Sequence, residues 1–231
     1  MTNNKQNNLP ILGHFKTYKE YIDIKGHNDR FFDPLQITSL NDNCIYLTFD
    51  TCPTKIVSYD VINWLHEHEI KHTIFLNVKW YELNSDKDLL FLKSPLCSIG
   101  GHGFNHKRPF HMTFDEQYED VAKCKYFIKD NLDIDIKWYR VPWGRPNEDT
   151  HKILSTLDLK FASWSGYVSD KQSSSVSFDT KEATIDYVKN HLKGGEILIF
   201  HINGEGNNTL EIVQEVVKEI ENKFKFESLK I

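Results

Sequence analysis

No apolar run in this 231-residue chain approaches the roughly 20 residues a helix needs to cross a bilayer, so a membrane-spanning helix is excluded. Cysteine is scarce. The four present, Cys44, Cys52, Cys97 and Cys124, lie far apart with no Cys-x-x-Cys pair, a usage that suits a reducing compartment better than a disulfide framework. An excess of positive charge is also missing. Twenty-eight Lys and Arg against 33 Asp and Glu leave no electrostatic footprint for nucleic acid. The opening stretch Met1-Thr2-Asn3-Asn4-Lys5-Gln6-Asn7-Asn8 is polar and lacks the apolar core of a signal peptide, so the expected location is cytoplasmic. No internal repeat, low-complexity linker or composition shift divides the chain.

What is present is alternation. After about forty residues of weak periodicity (1–43, taken as an N-terminal extension), short apolar runs alternate with longer amphipathic stretches over 44–231, the pattern of repeated βα units. Strands are expected at 45–50, 73–77, 96–100, 137–141, 159–163, 196–201 and 224–229. Helices are expected at 56–69, 114–130, 147–156, 181–193 and 208–223, with 80–93 as a sixth. Seven strands with right-handed crossovers predict an α/β barrel or a strongly twisted open sheet.

The reactive residues favour the barrel. Asp50 closes the first expected strand, His102 follows the third, Arg140 closes the fourth, Trp164 follows the fifth and His201 closes the sixth. Strand C-terminal ends ring a single active site in such barrels, and packing alone gives no reason for five elements to bring polar groups to one rim. His102 and His106, four residues apart in Gly101-His102-Gly103-Phe104-Asn105-His106, present two imidazoles to one point, as a metal requires. Asp50 reads as either a turn anchor or a base, with Arg140 its natural partner across the rim. Asp170 is placed to orient His201, and Trp143 in the irregular loop Arg140-Val141-Pro142-Trp143-Gly144 offers a flat face of the kind that packs on sugar rings. His66, His68 and His72 look like a second metal cluster, but they fall at the end of an expected helix and read as its solvated face.

Taken in order, these segments resemble the NodB-homology polysaccharide deacetylases, carbohydrate esterase family 4. Thr48-Phe49-Asp50-Thr51-Cys52-Pro53 resembles the family's Thr-Phe-Asp-Asp-Gly-Pro, and His102 to His106 its His-Ser/Thr-x-x-His. Arg140-Val141-Pro142-Trp143-Gly144 is similar to Arg-x-Pro-Tyr/Phe-Gly. Ile199-Phe200-His201 is similar to Leu-x-His, and Trp164 with Asp170 stands for the fourth motif. The resemblance implies an irregular (β/α)7 barrel and a divalent metal, zinc or a similar ion, held by His102 and His106. It further implies Asp50 as the base that deprotonates a water, Arg140 holding Asp50, and His201 tuned by Asp170 as the acid. Pro142, Trp143, Trp164 and Ile199 would then shape the substrate pocket, with a backbone N–H near Trp143 stabilising the oxyanion. The implied substrate is an acylated amino sugar or glycan precursor.

One departure matters. The family's metal ligand after the base is an aspartate, and this chain has Thr51 there. A neutral hydroxyl is a poor ligand and removes a negative charge, so the third ligand is open between Thr51, Cys52, Asp50 or none. The leading reading is a metal-assisted hydrolase removing an N-acetyl group. The alternatives are a deformylase or other carbon–nitrogen amide hydrolase of the same fold, or a metal-free, non-catalytic sugar-binding protein.

Overall fold

The computed structural model describes residues 40–144, 146–164, 181–203 and 208–230. Its centre is a seven-stranded, wholly parallel sheet: β1 (Cys44–Asp50), β2 (His72–Leu76), β3 (Cys97–Gly101), β4 (Trp138–Tyr139), β5 (Lys160–Phe161), β6 (Ile197–His201) and β7 (Lys225–Phe226). The strands run in the order β5-β4-β3-β2-β1-β6, and β7 pairs with the first residues of β1. This is the irregular (β/α)7 barrel, with the sheet curled so that alternate side chains face an interior or a surrounding layer of helices. Among the described residues six helices form that layer: α1 (Tyr59–Glu67), α2 (Val78–Leu83), α3 (Phe114–Leu132), α4 (Glu148–Thr156), α5 (Lys181–Asn190) and α6 (Thr209–Ile220).

The strand period of two sorts the residues. On β1, Ile45, Leu47 and Phe49 join the main apolar cluster with Val61, Ile62 and Leu65 of α1 and with Val213, Val216 and Val217 of α6. Cys44 and Tyr46 face the other way and join Phe75, Trp138, Ala162, Ile197 and Leu229 in a separate interior cluster. Thr48, Asp50 and, across the sheet, His201 continue that inward face toward the strand C-termini, with Asp50 in register with His201 and Thr48 with Ile199. Gly100 is required on this face, because a Cβ there would lie 2.5 Å from the Phe75 ring.

Local signals explain the helix starts. Thr113 accepts from the Glu116 amide while the Glu116 carboxylate accepts from the Thr113 amide, a capping box that opens α3; Asn147 and Thr150 do the same for α4. The expected helix over 80–93 is instead two pieces, α2 and a single 3-10 turn at Leu90–Lys93. Buried Asn84 ends α2, its amide donating to the carbonyls of Trp80 and Thr54. The last strand is also shorter than expected, Lys225–Phe226 rather than 224–229. Beyond it the chain crosses the barrel floor, where the Leu229 amide donates to the Thr73 hydroxyl.

Candidate active site

Every described residue of the expected site lies at the C-terminal mouth of the barrel, and Arg140 organises it. It is fully buried, an expensive position for a charge, and four of its five N–H donors are answered within the protein. Nη1 donates to Asp50 Oδ1 at 2.8 Å and to Thr48 Oγ1 at 2.8 Å, Nη2 donates to the Ser163 carbonyl at 3.1 Å, and Nε donates to that of Ala162 at 3.4 Å. Its guanidinium carbon sits 4.1 Å from the Phe75 ring centroid and 5.8 Å from that of Trp164. Burial acts to raise the Asp50 carboxyl, but the charge and hydrogen bond of Arg140, ahead of the nearby imidazoles, outweigh it and hold the group below its ordinary value. Asp50 is therefore an anion fixed by one oxygen. The other, Oδ2, lies 3.6 Å from His102 Nε2.

His102 is buried, and burial pushes its pKa down against the pull of Asp50, so the ring is neutral. Its Nδ1–H donates to the Arg140 carbonyl at 2.8 Å, which fixes the tautomer and leaves Nε2 as a lone pair aimed into the mouth. His106 stands with its ring centroid 5.0 Å from that of His102. The loop between them is clamped from both sides by residues that sequence reasoning passed over. Asn77, at the end of β2, donates through Nδ2 to the carbonyls of His102 (3.1 Å) and Gly103 (2.8 Å). Asp120 of α3 accepts from the amides of Phe104 (2.9 Å) and Asn105 (3.0 Å). Gly103 has φ +77° and a Cβ there would meet Asp120 and Pro142 at 3.0 Å, so the family's Ser or Thr cannot sit there without strain. An Asn after a strand and an Asp on a helix carry no sequence signal of this role; only the fold brings them to the loop.

The question at position 51 has a geometric answer. Thr51 is fully buried, and its hydroxyl accepts from the Asn77 amide at 2.8 Å and donates to the Phe75 carbonyl at 3.4 Å. It belongs to the scaffold. The donor that joins the histidines is Cys52: its sulfur and a nitrogen from each of His102 and His106 all lie within 4.8 Å of one another. Around a tetrahedral zinc, donors at 2.0–2.3 Å are roughly 3.3–3.6 Å apart, so small side-chain rotations close this set on one ion. Thiolate and two imidazoles suit zinc, and the thiolate restores the negative charge that Thr51 removes. Asp50 stays with Arg140, outside the donor group.

The rim is aromatic. Trp143 is 53% exposed, donates from its indole to the His106 carbonyl at 3.1 Å and stacks under the Arg108 guanidinium at 4.2 Å. Its own φ of +68° turns the chain sharply between buried Pro142 and Gly144. Trp164 is half-buried against Gly144, and Ile199 lies one inward step below His201 on β6. Asp170 lies outside the described residues.

The polysaccharide deacetylase family profile matches residues 38–162, more than half of the chain. The chain belongs to the polysaccharide deacetylase family, a class of hydrolases acting on carbon–nitrogen bonds. Solved structures agree on the fold. A CE4 family pseudoenzyme from Bacillus anthracis is 19% identical with a TM-score of 0.66, over 82% of this chain and 64% of that one. The peptidoglycan deacetylase PdaC from Bacillus subtilis is 17% identical with a TM-score of 0.66, over 82% and 89%. A family 4 carbohydrate esterase from Streptomyces lividans, in complex with acetate, is 16% identical with a TM-score of 0.65, over 81% and 93%. This chain thus spans slightly under two thirds of the pseudoenzyme's length. No curated protein matches it.

Proposed function

We propose that this protein removes an N-acyl group, acetyl in the leading case, from an amino sugar of a glycan or its precursor, using a divalent ion held by Cys52, His102 and His106. The observation that carries the reading is the joint placement of that donor set and the Arg140-bound Asp50 at one mouth. A bound ion would supply a Lewis acid for the acyl carbonyl and lower the pKa of a water. Asp50 takes the proton of that attacking water through Oδ2, the oxygen not committed to Arg140. Arg140 keeps the carboxylate ionised and aimed. His201, in register with Asp50 on the neighbouring strand, gives the proton that the poor amine leaving group needs. A backbone N–H near Trp143 faces the developing oxyanion, and the Trp143 and Trp164 rings carry the sugar face.

A second reading, non-catalytic sugar binding, is favoured by Thr51, whose hydroxyl is tied to backbone where the family places a carboxylate. One experiment separates the two. Protein purified without a metal-affinity tag is assayed for bound zinc and for acetate and formate release from N-acylated amino sugars with zinc or cobalt added. Stoichiometric metal with acetate release is the expected result, and formate release would move the substrate to a formyl sugar. Tight sugar binding with neither metal nor release would establish the non-catalytic reading.

A further inference from the structure

Of the three histidines read as a solvated helical face, only His68 is exposed. His66 is half-buried in the last turn of α1, and His72 is the first residue of β2 and is fully buried, its side chain directed outward beneath that helix. The two rings lie 5.7 Å apart between centroids, tilted by 38°, and both Nε2 atoms are buried with no hydrogen-bond partner. His72 Nδ1 lies 3.0 Å from the Ile70 carbonyl; donating its proton there leaves Nε2 as a bare lone pair in a dry environment. Leaving such an atom without a hydrogen bond is costly, and here two belong to neighbouring rings.

The arrangement copies the one at the mouth. His102 also spends Nδ1–H on a backbone carbonyl and points Nε2 at a shared position, the orientation that metal-ligating histidines adopt. Two imidazoles with Nε2 atoms 2.0–2.1 Å from a common ion, at tetrahedral angles, have ring centroids roughly 5–6 Å apart. The site lies at the carbonyl end of α1, where the helix dipole favours a cation, and half-buried His66 places it near the surface, so that water entering with an ion would complete its coordination. We infer that His66 and His72 form a second metal site, for a borderline-soft divalent ion such as zinc, at the foot of β2. It sits a strand length, roughly 15 Å, from the catalytic mouth. Its ion pins the end of α1 to the sheet and takes no part in hydrolysis.

Zinc titration of the chelator-stripped full chain by calorimetry tests this. Two equivalents are expected. Cys52→Ser with His106→Ala removes one, and His66→Ala in that background removes the other. The His72 Nε2 resonance of the otherwise unaltered protein, followed by long-range proton–nitrogen NMR, should shift when the second equivalent is added. A single equivalent lost with Cys52 and His106, a residual equivalent that survives His66→Ala, or an unmoved His72 resonance would overturn the inference and leave a bridging water between the rings. A His66-dependent equivalent without any at Cys52 would sink the catalytic reading and leave this one standing.

Discussion

The two ends of β2 handle buried polarity in opposite ways. At the mouth the buried charges and the histidine loop are answered by the protein: Asp50 by Arg140, Arg140 by four acceptors, the His102–His106 loop by Asn77 and Asp120. At the foot, His66 and His72 keep nitrogen atoms without any answer from the protein. The contrast teaches that dense mutual satisfaction marks a place where geometry must be held before a ligand arrives. An unanswered pair marks a place that a ligand completes.

The sharpest way to break that contrast is to unpair the mouth. Arg140→Leu should destabilise the fold by about 3–5 kcal/mol in urea unfolding, because it strands an ionised carboxylate in a dry site. Adding Asp50→Asn should recover much of that loss, and a double variant no better than the single one would refute the pairing argument. Next comes the foot in acid. Burial holds His72 down to about 4, below the 6.5 of the unfolded chain, so the unfolded state binds more protons between those values. The stability of metal-free protein should therefore be full above pH 6.5 and decline toward pH 4, by on the order of 3 kcal/mol. His72→Gln should flatten that slope, and a slope unchanged by the substitution would assign it elsewhere.

The clamp comes third. Asn77→Ala or Asp120→Ala should lower stability by about 1–3 kcal/mol and weaken zinc at the mouth 10–100-fold, while leaving the His66-dependent equivalent untouched. Equal weakening at both sites would mean a global effect and dissolve the distinction. Gly103→Ala should destabilise by about 1 kcal/mol through its positive φ, read as a lowered melting temperature. Smallest for the fold is Trp143→Ala. Stability should move by less than about 0.5 kcal/mol, while KM for an acylated amino sugar rises and kcat holds.

Much of the mouth was legible in the chain, because strand ends announce themselves. A buried apolar run that stops at Asp50, or at His201, tells both where the strand ends and what it presents there. The order of the βα units and the pairing of Asp50 with Arg140 followed from the same logic. The foot was misread for a related reason: with the helix expected to run to residue 69 and the strand to begin at 73, His72 was assigned to the helix end, whereas the chain turns with φ +54° at Glu69 and β2 starts at His72 itself. Asn77 and Asp120 stayed hidden because their role depends on contacts between elements 26 and 16 residues apart, which no local pattern encodes. The choice of Cys52 over Thr51 needed the direction of one hydroxyl.

That hydroxyl limits any attempt to rebuild the family's ligand set in this protein. A carboxylate introduced at position 51 has two options. It can inherit the Asn77 amide and face away from the imidazoles, or turn toward them and abandon a buried N–H. A lone reversion would give neither a sound floor nor a sound metal cage, so the backbone turn that aims the main-chain N–H of residue 77 would have to be redesigned with it.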